Sequence, residues 1–362
     1  MKIGILSMHR VPNYGSFWQA YCLMKMLEKS GNDVDFIDIR KGRQILDTPL
    51  YKRSFSLTKI KRIPYYLFQK KKLNIFQHYQ AKKLGCAERM NYRTNYDCII
   101  IGSDEVFNCI QQSPWGFSTQ LYGAMDNDNV NSYAGSFGYT TMENIEKYGL
   151  SEEISQAIKN MRNISVRDLN SEQIMSELSD GKQIQRHLDP VLIGDLPVPK
   201  AAVCNKQQKY IVIYAYDFRF HDEAYISCIK AFAQKKGLKI YSVGFYQDWV
   251  DKNIVTDPYT LLEYFKNAEY IITDTFHGTI FSIRCKKKFV TVVRDTNRQK
   301  LTSLLESVNL SNRIVTKPNE IALTLNKDIQ YDDVFKILKK ERKRTEDYLK
   351  ACIQKGMSEI NI

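Results

Sequence analysis

Short apolar runs alternate with segments of helical period along this chain, and this alternation limits the folds open to it. The run KIGILS at 2–7 comes first, and the segment 16–31 then carries large apolar residues three or four positions apart. The run VDFIDI at 34–39 follows directly. A strand, a helix and a second strand form a β-α-β unit. The start of the chain therefore predicts a doubly wound α/β sheet.

The alternation continues and then begins a second time after the segment 195–209, which holds two prolines and no amphipathic period. Asn170 is the predicted cap of one helix, and Asp257 before Pro258 predicts the start of another. Further helices are predicted at 221–236, 258–268 and about 297–308. The remaining predicted strands are YDCIII, VNSYAG, ISVRD, YIVIYAY, LKIYSV, YIIT and KFVTVV.

These patterns predict two Rossmann-like domains, because 362 residues exceed the size at which one hydrophobic core stops growing. We place the domains at 1–196 and 209–330, with a boundary near 196–208. The last segment, 331–362, carries an apolar stripe among charges, which predicts a helix that packs across the domains. The stripe consists of Val334, Ile337 and Leu338.

The composition restricts the partners. With 53 lysines and arginines against 40 aspartates and glutamates, the formal net charge is +13, which favours an acidic ligand, a nucleic acid or an anionic membrane surface. The first residues do not resemble a signal peptide, and no apolar stretch approaches the roughly 18 residues that span a bilayer. We therefore predict a cytoplasmic protein that does not cross a membrane.

Residues 52–83, an insertion in the first predicted domain, contain no acidic residue and interleave bases with aromatic and aliphatic residues. One interpretation is a solvated helical pair whose lysine stems cover apolar surface. A second is a patch that contacts an anionic membrane face, where each basic residue contributes about 1 kcal/mol. A third, a nucleic-acid groove, has no support from a helix-turn-helix, zinc-finger or RNP-type signature. We predict no nucleic-acid partner.

The turn after the first strand lacks the motifs of common nucleotide sites. Neither G-x-G-x-x-G after that strand nor G-x-x-x-x-G-K-[ST] anywhere is found. The chain has PNYGSFWQA, in which Gly15 permits a tight turn and Ser16 stands where an N-cap belongs. Backbone N–H groups and the helix dipole would then face the cleft and favour an anion. An ordinary β-α turn explains the same residues.

Two further strands end in polar residues. The strand in IIIGSDEVFN ends in Gly102, Ser103 and Asp104, at the edge where open α/β sheets bind ligands. Asp104 is placed to take a proton from a substrate hydroxyl, or to cap the next turn. Arg167, at the end of ISVRD, offers a planar fork of donors that suits a carboxylate or phosphate. A pair with an acid close by in sequence fits Arg167 equally well.

The segment YIITDTFHGTIFS places His277 in the first turn of a helix that Asp274 or Thr275 caps. Gly278 costs this helix roughly 1 kcal/mol relative to alanine, which is easier to explain if the backbone approaches a ligand closely. Imidazole both donates and accepts protons near neutral pH, so a catalytic group fits here. A half-buried histidine bonded to a carbonyl fits as well. The other four histidines show no H-x-x-x-H spacing, so we predict no metal site.

The motifs PNYGSFWQAY, YDCIIIGSDEVFN, ISVRD, HLDPVLI and ITDTFHGTIFSI occur in this order within about residues 1–310. In this combination the chain resembles the polysaccharide pyruvyl transferase family. The resemblance implies two Rossmann-type domains that face each other across an active-site cleft, as in the glycosyltransferase-B fold. It also implies a reaction without metal or cofactor. In that reaction a pyruvyl group moves from phosphoenolpyruvate to two hydroxyls of a sugar, which forms a cyclic ketal and releases phosphate.

The resemblance also implies site residues. The family's histidine falls on His277, its motif arginine on Arg167, and its Gly-Ser-Asp turn on 102–104. Arg298 stands where many members have arginine, whereas Lys288 departs from the proline that the family commonly shows. The other candidate ligands of the anionic donor are Asn13, Gly15, Ser16, Ser103, Thr275 and Gly278.

The expected mechanism follows from these assignments. Protonated His277 delivers a proton either to the enol carbon of the donor or to the leaving phosphate, and Asp104 helps to deprotonate a sugar hydroxyl. The acceptor that the resemblance suggests is a polysaccharide unit on a lipid carrier, and residues 52–83 would then hold the enzyme at the cytoplasmic leaflet. The alternatives are a nucleotide-sugar-dependent glycosyltransferase of the same architecture and a noncatalytic module that binds anions or nucleic acid.

Overall fold

Two parallel β-sheets of six strands each form the protein within residues 1–45, 63–197 and 208–354, which the computed structural model describes. The first sheet contains β1 (Lys2–Leu6), β2 (Asp33–Ile37), β3 (Cys98–Asp104), β4 (Val130–Gly135), β5 (Met161–Val166) and β6 (Ile184–Arg186). The second contains β7 (Tyr210–Tyr214), β8 (Lys239–Val243), β9 (Lys252–Ile254), β10 (Tyr270–Thr273), β11 (Lys288–Val292) and β12 (Ile314–Val315). The predicted α/β class is confirmed.

The strand order reverses once in each sheet. The first sheet has the order β2-β1-β3-β4-β5-β6, so the chain leaves β1 on one side and returns to it on the other as β3. The second sheet, β12-β11-β10-β7-β8-β9, reverses in the same way between β7 and β10. Ligands of doubly wound sheets bind outside the carboxyl ends of the strands at such a switch point. Each half of the molecule thus has one edge suited to a ligand.

Helices alternate with the strands, as the periodicity predicts. The first half contains α1 (Tyr14–Lys29), α2 (Ile63–Leu84), α3 (Met142–Lys147), α4 (Ser151–Ile158), α5 (Leu169–Leu178) and α6 (Pro190–Ile193). The second half contains α7 (Glu223–Lys236), α8 (Pro258–Asn267), α9 (Phe276–Arg284), α10 (Arg298–Ser307), α11 (Glu320–Asn326) and α12 (Tyr331–Ile353). The predicted domain boundary near 196–208 falls mostly on 198–207, outside the described residues, and stays a prediction.

Side-chain caps mark the start of several helices, and two of the predicted caps are wrong. Asp257 caps α8, as the sequence predicts. The cap of α1, however, is Asn13 rather than Ser16, and the cap of α5 is Asp168 rather than Asn170. The N-cap residue needs extended backbone, which Asn13 and Asp168 have, whereas the two predicted residues already lie inside their helices.

A single buried cluster joins the two halves. Tyr14 and Trp18 of α1 are fully buried in a cluster that includes Leu261 of α8. The Tyr14 hydroxyl donates to the carbonyl of Thr256 at 2.7 Å, and the Trp18 indole donates to that of Pro258 at 3.2 Å. Replacing a buried aromatic side chain of this kind by alanine costs about 3–5 kcal/mol. This packing holds the two switch points opposite each other.

The helix α12 crosses from the second half to the first. Near its start, the Tyr331 hydroxyl donates to the carbonyl of Lys287 at 2.5 Å. Near its end, the Tyr348 hydroxyl donates to the carbonyl of Ser132 in β4 at 2.7 Å. Residues 355–362 of the predicted terminal segment lie outside the described residues. Two members of its predicted apolar stripe are buried, Val334 and Leu338.

Within the basic segment, residues 52–62 lie outside the described residues and 63–83 belong to α2. One side of α2 is buried, and it includes Phe68, Lys72 and Phe76. Burial lowers the pKa of the Lys72 ammonium to about 8, and its Nζ lies 4.1 Å from the ring centroid of Phe245 in the second half. No helix in the described part of the chain has the length and apolar character that crossing a membrane requires.

Candidate active site

The two switch points enclose a cavity of about 610 Å³. From the first half, its wall includes Asn13 and Ser16, which follow β1, and Asp104, which ends β3. From the second half, Tyr216 and Arg219 follow β7. A cavity at facing switch points, with convergent polar groups, is the candidate active site of this protein.

The Asp104 carboxylate is fixed in the cavity wall. Its Oδ2 accepts a hydrogen bond from Ser16 Oγ at 2.8 Å, and its Oδ1 accepts one from the backbone N–H of Glu105 at 3.0 Å. The backbone φ of Asp104 is 82°, a left-handed value that few residues other than glycine adopt. Such conformations cluster at functional sites, where the surrounding structure holds them in place. The structure therefore places this carboxylate where a bound hydroxyl could reach it.

Arg167 is a buried cation directly behind Asp104. Its Nη1 donates to Asp189 Oδ2 at 3.0 Å and lies 3.8 Å from Asp104 Oδ1. Its guanidinium carbon lies 4.1 Å from the ring centroid of Phe276, at the start of α9 in the second half. The acids next to it in sequence have other partners, so the local ion pair considered from sequence does not form. Arg167 instead links the carboxylates of the first half to α9.

His277 lies in the first turn of α9, and Thr275 caps that helix, as predicted. The imidazole side chain is 12% exposed, and its Nε2 lies 3.4 Å from Asp189 Oδ2. The ring also rests on Gly15, because a Cβ atom at that position would lie 2.1 Å from His277 Nδ1. Glycine is therefore required by the contact between two helix N-termini, and not by the tight turn expected from the sequence.

Asp189 is the site residue for which sequence analysis gave no role. It caps α6 through the backbone N–H of Val191, and its other oxygen faces both Arg167 and His277. Burial opposes its ionisation, but the positive charges of His277 and Arg167 outweigh burial and hold the pKa of this carboxyl below its ordinary value. Its signal in the sequence was HLDPVLI, in which an acid before proline marks the start of a helix.

A salt bridge crosses the cavity between the two halves. Lys300 Nζ of α10 lies 2.8 Å from Glu105 Oε1, and both residues line the cavity. Burial acts to raise the pKa of Glu105, but Lys300 and its other partners outweigh burial and lower the pKa to about 2. The structure does not bring Arg298 to the cavity: this side chain is 53% exposed and pairs with the exposed Asp295. Lys300 is the α10 cation that reaches the site.

Two arginines surround a second buried carboxylate. Arg294 Nη1 lies 2.5 Å from Asp274 Oδ2, and Arg219 Nε lies 3.5 Å from the same oxygen. Burial raises the pKa of Asp274 above its ordinary value even though these cations lower it. Asp274 is thus not the cap of α9 but the anchor of two cations, and one of them, Arg219, lines the cavity.

Three residues that we predicted to bind the donor substrate make contacts within the protein in this structure. Ser103 is fully buried, and its hydroxyl donates to Gln19 Oε1 at 2.8 Å. The Thr275 hydroxyl accepts from the N–H of Gly278 at 2.9 Å. A Cβ at position 278 would lie 2.1 Å from Thr273 Oγ1, so packing explains this glycine without a ligand.

The predicted absence of a metal site stays a prediction. Among residues 1–45, 63–197 and 208–354, no group of three or more His, Cys, Asp or Glu side chains is arranged to hold a metal ion.

Solved structures confirm the class of fold. A structure described as trehalose-6-phosphate from E. coli bound with UDP-2-fluoro glucose matches with 12% identity and a TM-score of 0.51, and covers 98% of this chain and 99% of its own. The S. aureus MnaA–UDP structure matches with 11% identity and a TM-score of 0.49, over 97% and 96% of the two chains. The Streptomyces sp. SF2575 glycosyltransferase SsfS6 with thymidine diphosphate matches with 9% identity and a TM-score of 0.49, over 97% and 99%. The two parallel sheets, together with the first of these matches, confirm the glycosyltransferase-B-like fold that we expected.

The family model for polysaccharide pyruvyl transferase matches residues 13–296, and the chain belongs to that family. The match includes Asp104, Arg167 and His277. Membership supports a transferase that acts on polysaccharide. No curated protein matches the chain.

Proposed function

We propose that this protein transfers a pyruvyl group from phosphoenolpyruvate to two hydroxyls of one sugar in a surface polysaccharide precursor. The observation that carries the proposal is the meeting of Asp104, Arg167 and His277 at the facing switch points, in a chain of the pyruvyl transferase family. The products are a cyclic pyruvate ketal and inorganic phosphate. The donor and the ketal are our extension of the family assignment.

The charges around the cavity suit a small anionic donor. Lys300 and Arg219 line it, and Arg167 lies just behind its wall. The N-terminus of α1, next to His277, adds backbone N–H groups and the positive end of the helix dipole. Phosphoenolpyruvate carries a carboxylate and a phosphate, so separate positive groups can bind its two ends. These groups support binding without a metal or cofactor.

The reaction starts with a proton transfer to the enol carbon of the donor, which becomes a methyl group and leaves the adjacent carbon electrophilic. One sugar hydroxyl attacks that carbon, the C–O bond to phosphate breaks, and the second hydroxyl closes the ring. Of the two hydroxyl protons lost, one balances the methyl proton and one leaves on phosphate. We assign the transfer to the donor, or to its departing phosphate, to protonated His277 and the first deprotonation to Asp104.

Asp189 has a positioning role in this mechanism. Its Oδ2 lies 3.4 Å from His277 Nε2, so it orients the ring. The same oxygen holds Arg167, so one carboxylate sets the relative positions of the proton donor and a buried cation. We further propose that the protein acts in the cytoplasm on an acceptor held on a lipid carrier.

A screen of acceptors tests this function directly. Purified protein is incubated with phosphoenolpyruvate and galactose-, glucose-, mannose- or N-acetylmannosamine-terminated acceptors, and phosphate release and product mass are measured. We expect acceptor-dependent phosphate release and a ketal product, both unchanged by a metal chelator. Transfer from nucleotide sugars instead would identify a glycosyltransferase. Salt-sensitive oligonucleotide binding with no turnover on any acceptor would identify a noncatalytic module.

A further inference from the structure

The helix α2 exposes apolar side chains on the side that faces away from the protein. The opposite side is buried against α1, where Phe76 contacts the ring of Tyr14, and against the second half. An apolar surface on a helix of a soluble fold marks a contact with another molecule or with a membrane. The outward side is exposed by 50% at Ile63, 52% at Tyr66, 64% at Leu67 and 45% at Leu73.

The charges on this helix indicate which surface it contacts. Lys70 and Lys71 are exposed beside these apolar residues, and α2 contains no acidic residue. Aliphatic side chains flanked by lysines and a tyrosine are the composition of helices that lie in the interface of anionic bilayers. In such an interface, lysines contact lipid phosphates while apolar tips enter the acyl boundary. A nucleic acid would leave Ile63 and Leu67 without apolar partners.

The inward side of α2 contacts the loop that follows β7, at the rim of the cavity. Gln69 Nε2 donates to Asp217 Oδ2 at 2.7 Å, and the rings of Tyr65 and Phe218 lie 5.0 Å apart. Asp217 and Phe218 belong to the loop after β7, which also supplies Tyr216 to the cavity wall. Phe218 is 36% and Tyr216 41% exposed. The helix that carries the exposed apolar residues is therefore packed, through its other side, beside the cavity.

We propose that the membrane face of α2, formed by Ile63, Tyr66, Leu67, Lys70, Lys71 and Leu73, docks on an anionic lipid bilayer. The docked orientation brings the cavity rim to the headgroup level, where the sugar of a lipid-linked acceptor lies. The choice of acceptor rests on the proposed function, whereas bilayer binding does not.

Vesicle co-sedimentation of the full chain tests the docking. The probes are vesicles of phosphatidylcholine with and without phosphatidylglycerol. We expect binding only to the anionic vesicles, weakened by salt, and a loss of about tenfold or more for Ile63→Ser/Leu67→Ser and for Lys70→Gln/Lys71→Gln. The matched controls are Leu323→Ser, 67% exposed on α11, and Lys235→Gln/Lys236→Gln, an exposed lysine pair on α7. Both controls should bind like the wild type.

Several results would overturn the docking. Absence of wild-type binding to anionic vesicles would end it, and so would full binding by both α2 variants, which would move the contact elsewhere in the chain. A dimer in size-exclusion chromatography that the apolar variant dissociates, without vesicle binding, would assign the face to a second copy.

A soluble acceptor separates this proposal from the proposed function. The α2 variants should turn over a soluble acceptor at the wild-type rate and lose rate only with acceptor embedded in vesicles. Equal losses on both acceptors would contradict the docking. If the wild type binds vesicles but turns over no acceptor, the proposed function fails while the docking stands.

Discussion

The two switch points of this molecule have the same topology, but their side chains are mostly of opposite charge. The first half brings three carboxylates to the site, Asp104, Glu105 and Asp189. The second half brings four basic groups, Arg219, His277, Arg294 and Lys300. Each half also places one group of the opposite kind, Arg167 and Asp274. Neither half has a complete site, because His277 faces Asp189 and Lys300 pairs with Glu105 only when the two halves are together.

The largest expected effect comes from removing the proton-transfer group of either half. His277→Gln and Asp104→Asn should each lower kcat about 10²- to 10⁴-fold, because each deletes one acid or base. Steady-state phosphate release measures the loss, and circular dichroism checks folding. His78→Gln, in the exposed part of α2, is the control. Near-normal turnover by a folded His277→Gln protein would contradict the assignment.

Gly15→Ala tests the contact between the two switch points. Alanine normally stabilises a helix relative to glycine, but here its Cβ would overlap the His277 ring, so we expect a loss of about 1–3 kcal/mol in unfolding free energy. Thermal or denaturant unfolding measures the change. In the double variant Gly15→Ala/His277→Ala the ring is absent, and the loss should be largely relieved. Strictly additive losses would show that the ring does not press on Gly15.

The salt bridge across the cavity gives a pH-dependent prediction. Lys300→Met should lower the unfolding free energy at neutral pH by about 1–3 kcal/mol, because Glu105 loses its partner in a mostly buried site. The pKa of Glu105 is about 2 in the folded protein against an ordinary 4.5, so the stabilisation is present above about pH 4.5 and is lost as the pH falls towards 2. The difference in unfolding free energy between Lys300→Met and the wild type should therefore disappear over that pH range.

Arg298→Met is the matched control on the same helix. Its pair with Asp295 is exposed on both sides, and such surface pairs contribute about 0–1 kcal/mol. Unfolding curves from pH 7 to pH 2 should show almost no change. A larger loss for Arg298→Met than for Lys300→Met would reverse our assignment of the α10 cation.

The smallest expected effects distinguish two serines next to Asp104. Ser16→Ala removes a hydrogen bond to the Asp104 carboxylate, so kcat should fall about tenfold. Ser103→Ala removes a hydrogen bond to Gln19 of α1, so the unfolding free energy should fall by about 1 kcal/mol with little change in kcat. Equal effects of the two variants on kcat would contradict our assignment of Ser16 to the cavity wall and of Ser103 to the surrounding core.

The sequence predicted much of this fold because apolar runs and helical periods are local signals. It placed Asp104 and Arg167 at strand ends, and His277 in the helix turn that follows a strand, for the same reason, since carboxyl ends of parallel strands share an edge. The caps were harder, because several Ser, Asn and Asp residues stand within one turn of each helix start and only backbone conformation separates them.

The remaining site features depend on contacts between residues far apart in sequence. Arg298 and Lys300 are two positions apart on one helix, and only the packing of α10 decides which one faces the cavity. Gly15 is explained by the ring of His277, more than half the chain away. The residues around Asp189 indicate the start of a helix and nothing more. Its contact with His277 forms only because α9 packs beside it.

The crossing of α12 has a consequence for how the protein is made. Tyr348 lies over β4, yet 216 residues separate it from Ser132, its hydrogen-bond partner. Domains generally fold from the N-terminus during synthesis. The part of the first sheet's face that α12 covers, next to β4, therefore stays unshielded until α12 has been translated. Ribosome-bound chains halted before residue 331 should show that face to chaperones, and chains that include α12 should not.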